Sequence, residues 1–231
     1  MKFPIQWRWI AWGVLVVMTG CASVGNDPAT GTQPIAVVEP PVVVATAAAQ
    51  PIVPVVPKTP PRIGLALGGG AARGFAHVGV IQVLEEAGIR PSLVAGTSAG
   101  SLVAAIYASG KNGKQLQHVA ETMEEATIAD WTLPLFNRGM LRGDALARYV
   151  NNQVGGRSIE SLPLSLGIVA TDLVTGSSML FQRGDTGTAV RASSAVPAVF
   201  QPVRISGRDY VDGGLVSPVP VRAARQMGAE L

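Results

Sequence analysis

From residue 62 onward, short apolar runs alternate with amphipathic stretches, the pattern of strands and helices in a layered α/β domain. Residues 62–67 form an apolar strand. Residues 71–87 predict a helix, with Phe75, Val78, Ile81 and Leu84 near helical spacing and Gly88 as its C-cap. A second buried strand at 92–95 leads into a helix of small residues at 99–109. More polar helices follow at 114–126 and 143–154. Residues 165–170 and 178–182 read as strands with a Thr175-Gly176 turn between them, and 187–195 as a short helix stopped by Pro197. A hairpin of 203–205 and 209–211 turns at Ser206-Gly207. Pro218 opens the last helix, which carries Val221, Ala224 and Met227 on one side and ends at Gly228.

Before residue 62 neither period is present. Lys2 and Arg8 precede an apolar run from Ile10 to Met18, and Thr19-Gly20-Cys21 places small residues before a cysteine. That is the layout of a secretory signal over residues 1–20, and the run is short of the roughly 20 residues a membrane span needs. The ending Val17-Met18-Thr19-Gly20-Cys21 resembles a bacterial lipobox, which implies cleavage before Cys21 and its lipidation. Ala22 after the cysteine implies the outer membrane, with the domain facing the periplasm. Residues 21–61 then read as the lipidated cysteine and a linker. Nine of the chain's 17 prolines fall between 22 and 61, beside only three charged residues, Asp27, Glu39 and Lys58. Proline removes donors and fixes φ, so neither a helix nor a central strand runs through this stretch. The third segment, 62–231, holds the domain.

Composition narrows the chemistry. Of 231 residues, 48% are hydrophobic and 14% charged, which suits a sizeable buried core. The net charge is only +3 and no Lys/Arg cluster stands out, which argues against a nucleic-acid partner. Two histidines, His77 and His118, and one cysteine do not make a His/Cys zinc site, and the reading requires neither metal nor organic cofactor.

Three glycine-bearing turns carry the candidate chemistry. Gly96-Thr97-Ser98-Ala99-Gly100 sets a serine between two glycines at a strand-to-helix corner, where a helix N-terminus favours an alkoxide. Gly68-Gly69-Gly70-Ala71 is a side-chain-poor corner opening another helix, and the N–H groups of Gly69, Gly70 and Ala71 suit an oxyanion. It lacks the Lys-Ser/Thr of a Walker loop, and Arg73 stands where a dinucleotide motif needs its third glycine. Arg73, a candidate substrate-binding residue, is placed either to meet a phosphate or to pair with an acid. No histidine follows His118, so a Ser-acid-His order is unsupported, and His77 reads as packed within its helix. Asp212, ending a hairpin strand before Gly213-Gly214, is the better general base, although Asp-Gly-Gly is also an ordinary turn.

Taken together, Gly69-Gly70-Ala71-Ala72-Arg73-Gly74, Gly96-Thr97-Ser98-Ala99-Gly100 and Asp212-Gly213-Gly214 resemble the patatin-like phospholipases. Ala170-Thr171-Asp172-Leu173 and Ser193-Ser194-Ala195-Val196-Pro197-Ala198-Val199-Phe200 match bacterial members as well, so the resemblance covers essentially all of 62–231. It implies a three-layer α/β/α sandwich around a mostly parallel sheet and a Ser98–Asp212 dyad. It also implies an oxyanion hole at Gly69, Gly70 and Ala71, with Gly74, Gly96, Gly100, Gly213 and Gly214 as motif glycines. Ala71 stands where plant members have glycine, and Asp172 is structural in this pattern. Family members continue past the last helix into another apolar strand, whereas the sequence here ends at Leu231. The implied activity is hydrolysis of lipid acyl esters through an acyl-enzyme, with a lipid or fatty-acyl ester as substrate. A soluble-ester esterase or thioesterase and a non-catalytic lipid-binding lipoprotein are the alternatives.

Overall fold

In the computed structural model, which describes residues 60–123 and 141–231, the apolar residues of the central strands divide between two faces of one sheet. The strands are β1 (Gly64–Leu67), β2 (Leu93–Thr97), β3 (Ser165–Asp172), β4 (Ser178–Phe181), β5 (Val203–Ile205) and β6 (Arg208–Asp212). The helices are α1 (Ala76–Glu86), α2 (Ala99–Ala108), α3 (Gly113–Thr122), α4 (Asp144–Gln153), α5 (Thr186–Ser193) and α6 (Val221–Gln226), with 3-10 turns at Ala71–Phe75, Ile159–Ser161 and Gly213–Leu215.

Alternate strand residues point to opposite faces. Leu67, Val94, Leu166 and Ile168 join the cluster built with α1, α2, α3 and α4, which includes Ile81, Val103, Leu116 and Val150. Their neighbours Leu93, Ala95 and Val169 face the other way, against Ala223 and Ala224 of α6 and against Ala229. The three layers follow from that alternation. Leu93, Val94, Ile168 and Val169 are fully inaccessible, and each such side chain contributes about 2 kcal/mol by burial.

The sheet is mixed rather than mostly parallel. β1, β2 and β3 are parallel, whereas β4, β6 and β5 enter antiparallel, in the order β1-β2-β3-β6-β5 with β4 also on β3. β3 also runs two residues beyond the expected 165–170. Residues Ser165 to Val169 pair with β2, and Ala170 to Asp172 pair with β6. β4 pairs across Ile168 to Thr171 and so occupies the opposite edge. Hence β2 and β6 share one edge of β3 and meet end to end. Thr97, the last residue of β2, lies opposite Val169, and Asp212, the last of β6, lies opposite Ala170.

Smaller departures have local causes. The helix expected over 71–87 begins as a 3-10 turn, because Ala71 enters it in the left-handed region, with φ 49°. The stretch 124–126 of the expected helix over 114–126 lies outside the described residues, as do Cys21 and the linker through residue 59; the described part is closed at its start by a capping box of Asn112 and Gln115. α5 ends at Ser193, ahead of Pro197, and its start is capped by Asp185, which accepts the Thr188 N–H. The last helix opens at Val221 rather than Pro218, and it buries Ala223 and Ala224 while Val221 stays exposed.

Candidate active site

The second βα corner is tightly constrained backbone. Ser98 sits at φ 52°, ψ −126°, a conformation L-residues rarely adopt, which costs on the order of 1–3 kcal/mol and persists only where the surroundings enforce it. The flanking glycines let the corner form. A Cβ on Gly96 would stand 2.5 Å from the Ser101 Cα, and one on Gly100 would stand 2.2 Å from the Leu67 carbonyl oxygen. Ser98 is half-buried at the N-terminus of α2, where its hydroxyl caps nothing and bonds no other described group. The Oγ is therefore available for chemistry.

Asp212 is buried, at 6% exposure, and one carboxylate oxygen, Oδ1, accepts the Gly214 N–H at 2.6 Å. Its own N–H donates to the Ala195 carbonyl at 2.9 Å, and its carbonyl accepts the Thr171 hydroxyl at 2.8 Å. Gly213 is required because a Cβ there would lie 2.2 Å from the Val169 carbonyl oxygen. Ser98 and Asp212 leave their strands at the meeting of β2 and β6, although no hydrogen bond joins their side chains.

The first βα corner lies against the serine. A Cβ on Gly69 would be 3.2 Å from the Ser98 Cβ, and one on Gly74 would be 2.7 Å from that of Ala99, so both glycines permit close approach. The three amides read from the sequence as oxyanion donors are not equivalent. The Gly69 N–H donates to the Pro218 carbonyl at 3.0 Å, whereas those of Gly70 and Ala71 have no partner among the described residues. Arg73 is exposed, its backbone N–H bonds the Gly70 carbonyl at 3.1 Å, and its guanidinium makes no ion pair among the described residues.

Neither histidine bonds Ser98 among the described residues. His118 is exposed on α3, and the His77 Nε2 donates to the Gly68 carbonyl at 2.8 Å, bracing the glycine corner. Asp172 is structural, as the family pattern implies. It accepts the N–H groups of Val174 and Thr175 at 3.0 and 2.9 Å and pairs with Arg208 at 3.2 Å. The Thr175 N–H above all holds its carboxyl below the usual range, against the opposing effect of burial.

A strap runs from Asp212 to the glycine corner. The Thr97 hydroxyl donates to the Ser217 carbonyl at 2.9 Å, and Pro218 accepts from Gly69. Leu215 and Val219 on this strap are 61% and 55% exposed. Sequence reasoning missed Thr97 and Pro218 in these roles, and it missed Ser193, whose hydroxyl accepts the Ser98 N–H at 2.8 Å. A signal for Ser193 was present: it follows Thr186, Ala189 and Val190 on the buried stripe of α5, an unexpected place for a hydroxyl.

Comparison with known proteins places this architecture. Residues 65–225 match the patatin-like phospholipase family. An NTE family protein of Mycobacterium tuberculosis is 40% identical over 172 residues, which span 74% of this chain and 48% of that relative. The mouse patatin-like phospholipase domain-containing protein 6 is 34% identical over 176 residues, 73% of this chain and 13% of its own length. The chain thus spans about half or less of these relatives. VipD from Legionella pneumophila shares the fold, with a TM-score of 0.54 at 18% identity over 68% of this chain and 46% of its own. With its serine corner, glycine corner and Asp-Gly-Gly turn gathered around the meeting of β2 and β6, the chain belongs to the patatin-like phospholipase family.

Proposed function

We propose that the chain is a serine acyl hydrolase that cleaves lipid acyl esters, in the manner of a phospholipase A or lysophospholipase, with Ser98 as nucleophile and Asp212 as general base. The observation that carries this reading is the end-to-end meeting of β2 and β6 on one edge of β3, which brings the two residues out side by side. Catalytic hydrogen bonds are often open without substrate and tighten when it binds.

The steps use this chain's own groups. Asp212 takes the Ser98 proton as Oγ attacks the ester carbonyl, and the Gly70 and Ala71 N–H groups receive the oxyanion. The intermediate collapses, the carbon–oxygen bond to the alcohol breaks, and the proton on Asp212 passes to the departing oxygen. Water, deprotonated by the same carboxylate, then attacks the acyl-serine; a fatty acid leaves and Ser98 recovers its proton. The exposed apolar strap beside the two corners suits an acyl chain. The setting we propose is the bacterial envelope, with lipidated Cys21 holding the domain at the outer membrane; loss of palmitate labelling in Cys21→Ser tests that.

The substrate class is tested with purified full-length protein on phospholipid vesicles and on short-chain soluble esters. Release of fatty acid from vesicles, absent in Ser98→Ala, supports the lipid reading. Turnover of soluble esters alone would move the assignment to a carboxylesterase, and no Ser98-dependent turnover of either would remove the enzyme.

A further inference from the structure

The strained corner at Ser98 has to be held from outside, and its two peptide groups are held unequally. The Ser98 carbonyl accepts three donors: the Ser101 hydroxyl at 2.6 Å, the Ser101 N–H at 2.8 Å and the Leu102 N–H at 3.3 Å. The Ser98 N–H has one partner, the Ser193 Oγ at 2.8 Å. Ser193 is fully inaccessible, and its own O–H donates to the Val169 carbonyl at 2.6 Å. Both functions of that hydroxyl are therefore in use, with a fixed direction.

The same short turn also grips the other member of the dyad. Two residues on, the Ala195 carbonyl accepts the Asp212 N–H at 2.9 Å. Val169 and Ala170, the β3 residues facing Thr97 and Asp212, lie between these two attachments. Resting on the hydrolase reading above, we propose that Ser193 is a positioning residue. Its hydroxyl fixes the peptide plane before the nucleophile, and residues 193–195 set the spacing between Ser98 and Asp212. Deleting the hydroxyl leaves the Ser98 N–H without a partner and frees that peptide to rotate. Deleting the Ser101 hydroxyl leaves the Ser98 carbonyl two donors. The two serines, both fully inaccessible, thus make unequal contributions to one corner.

The test compares Ser193→Ala, Ser193→Thr and Ser101→Ala in the full chain, by fluorophosphonate labelling of Ser98, steady-state hydrolysis of a short-chain p-nitrophenyl ester and thermal unfolding. In Ser193→Ala the labelling rate and kcat fall together by about 10- to 100-fold with KM within about two-fold, since displacements near 1 Å have effects of that size. Ser193→Thr, which keeps the hydroxyl, recovers most of the rate, and Ser101→Ala loses less than Ser193→Ala. Wild-type labelling in folded Ser193→Ala, or equal losses in the alanine and threonine variants, would overturn the proposal. If Ser193→Ala does not fold, Ser193→Cys carries the test, because its thiol is a longer and weaker partner. Slower labelling at unchanged KM supports the role, and an unchanged rate overturns it. A folded wild type that neither labels nor hydrolyses would overturn the hydrolase reading itself, an outcome distinct from a slow variant beside an active parent.

Discussion

Replacing Gly100 with alanine drives a methyl group into the main chain of β1. The added Cβ would stand 2.2 Å from the Leu67 carbonyl oxygen and 2.6 Å from that of Gly68, where real Cβ contacts are essentially never under 3.0 Å. β1 and α2 would have to part by about 0.8 Å, and both obstructing atoms are backbone, so no rotamer change relieves them. Overpacking on this scale costs about 3 kcal/mol. At about 2–4 °C per kcal/mol for a domain of this size, Tm falls by about 6–12 °C. The displaced Gly68 carbonyl is the one that His77 braces, next to Gly69 and Ser98, so fluorophosphonate labelling slows by about 100-fold even in the folded fraction. Gly79→Ala is the control. Nothing lies within 4 Å of its added Cβ on α1, and alanine is favoured in a helix by about 0.5–1 kcal/mol, so Tm rises by about 1–4 °C. Gly100→Ala with the Tm and labelling rate of the parent would refute the steric account of the corner.

Ala71→Gly relieves an alanine held at φ 49°. An L side chain there costs about 1–2 kcal/mol, partly offset by the extra backbone entropy of glycine, about 0.5–1 kcal/mol, so differential scanning calorimetry should show a Tm gain of about 1–4 °C. Asp172→Asn removes a carboxylate held below its usual range by the Thr175 N–H first, with help from the Val174 N–H and Arg208. A depressed folded-state pKa stabilises fully above the unfolded value near 4 and loses that stabilisation as pH falls through the lower folded value. Tm measured against pH should therefore decline less steeply below about pH 4 in Asp172→Asn than in the parent, and an identical acid limb would contradict the assignment.

What the chain discloses before folding follows from how local each cause is. The serine corner is legible because strand, turn and helix lie within twenty residues and each has its own pattern. The hairpin of β5 and β6 is legible because Ser206-Gly207 supplies its turn. The last two residues of β3 are not, since Thr171 and Asp172 are polar and become strand through pairing with β4 and β6. The antiparallel pairing of β4 and β6 with β3 makes the sheet mixed and sets Asp212 opposite Ala170, next to the Thr97–Val169 pair. Pro218 reads as a helix start because proline favours a first turn, yet its carbonyl instead holds Gly69, a partner 149 positions away in the chain. The same contact occupies one of three amides that look equivalent in the sequence. Ser193 was read only as part of a matching stretch for a related reason, as its partners come from the serine corner and β3 and not from its own helix.

The most direct measurement of the central claim is the single-turnover rate of Ser98 acylation in Asp212→Asn, followed by quench and mass analysis of the active-site peptide. The amide oxygen can still accept the Gly214 N–H that now bonds Oδ1, so the turn has reason to survive while the base is gone. The account predicts a folded protein whose acylation is slower by about 10²- to 10⁴-fold, the usual contribution of a positioned general base. Folded Asp212→Asn acylating at the parental rate would contradict it.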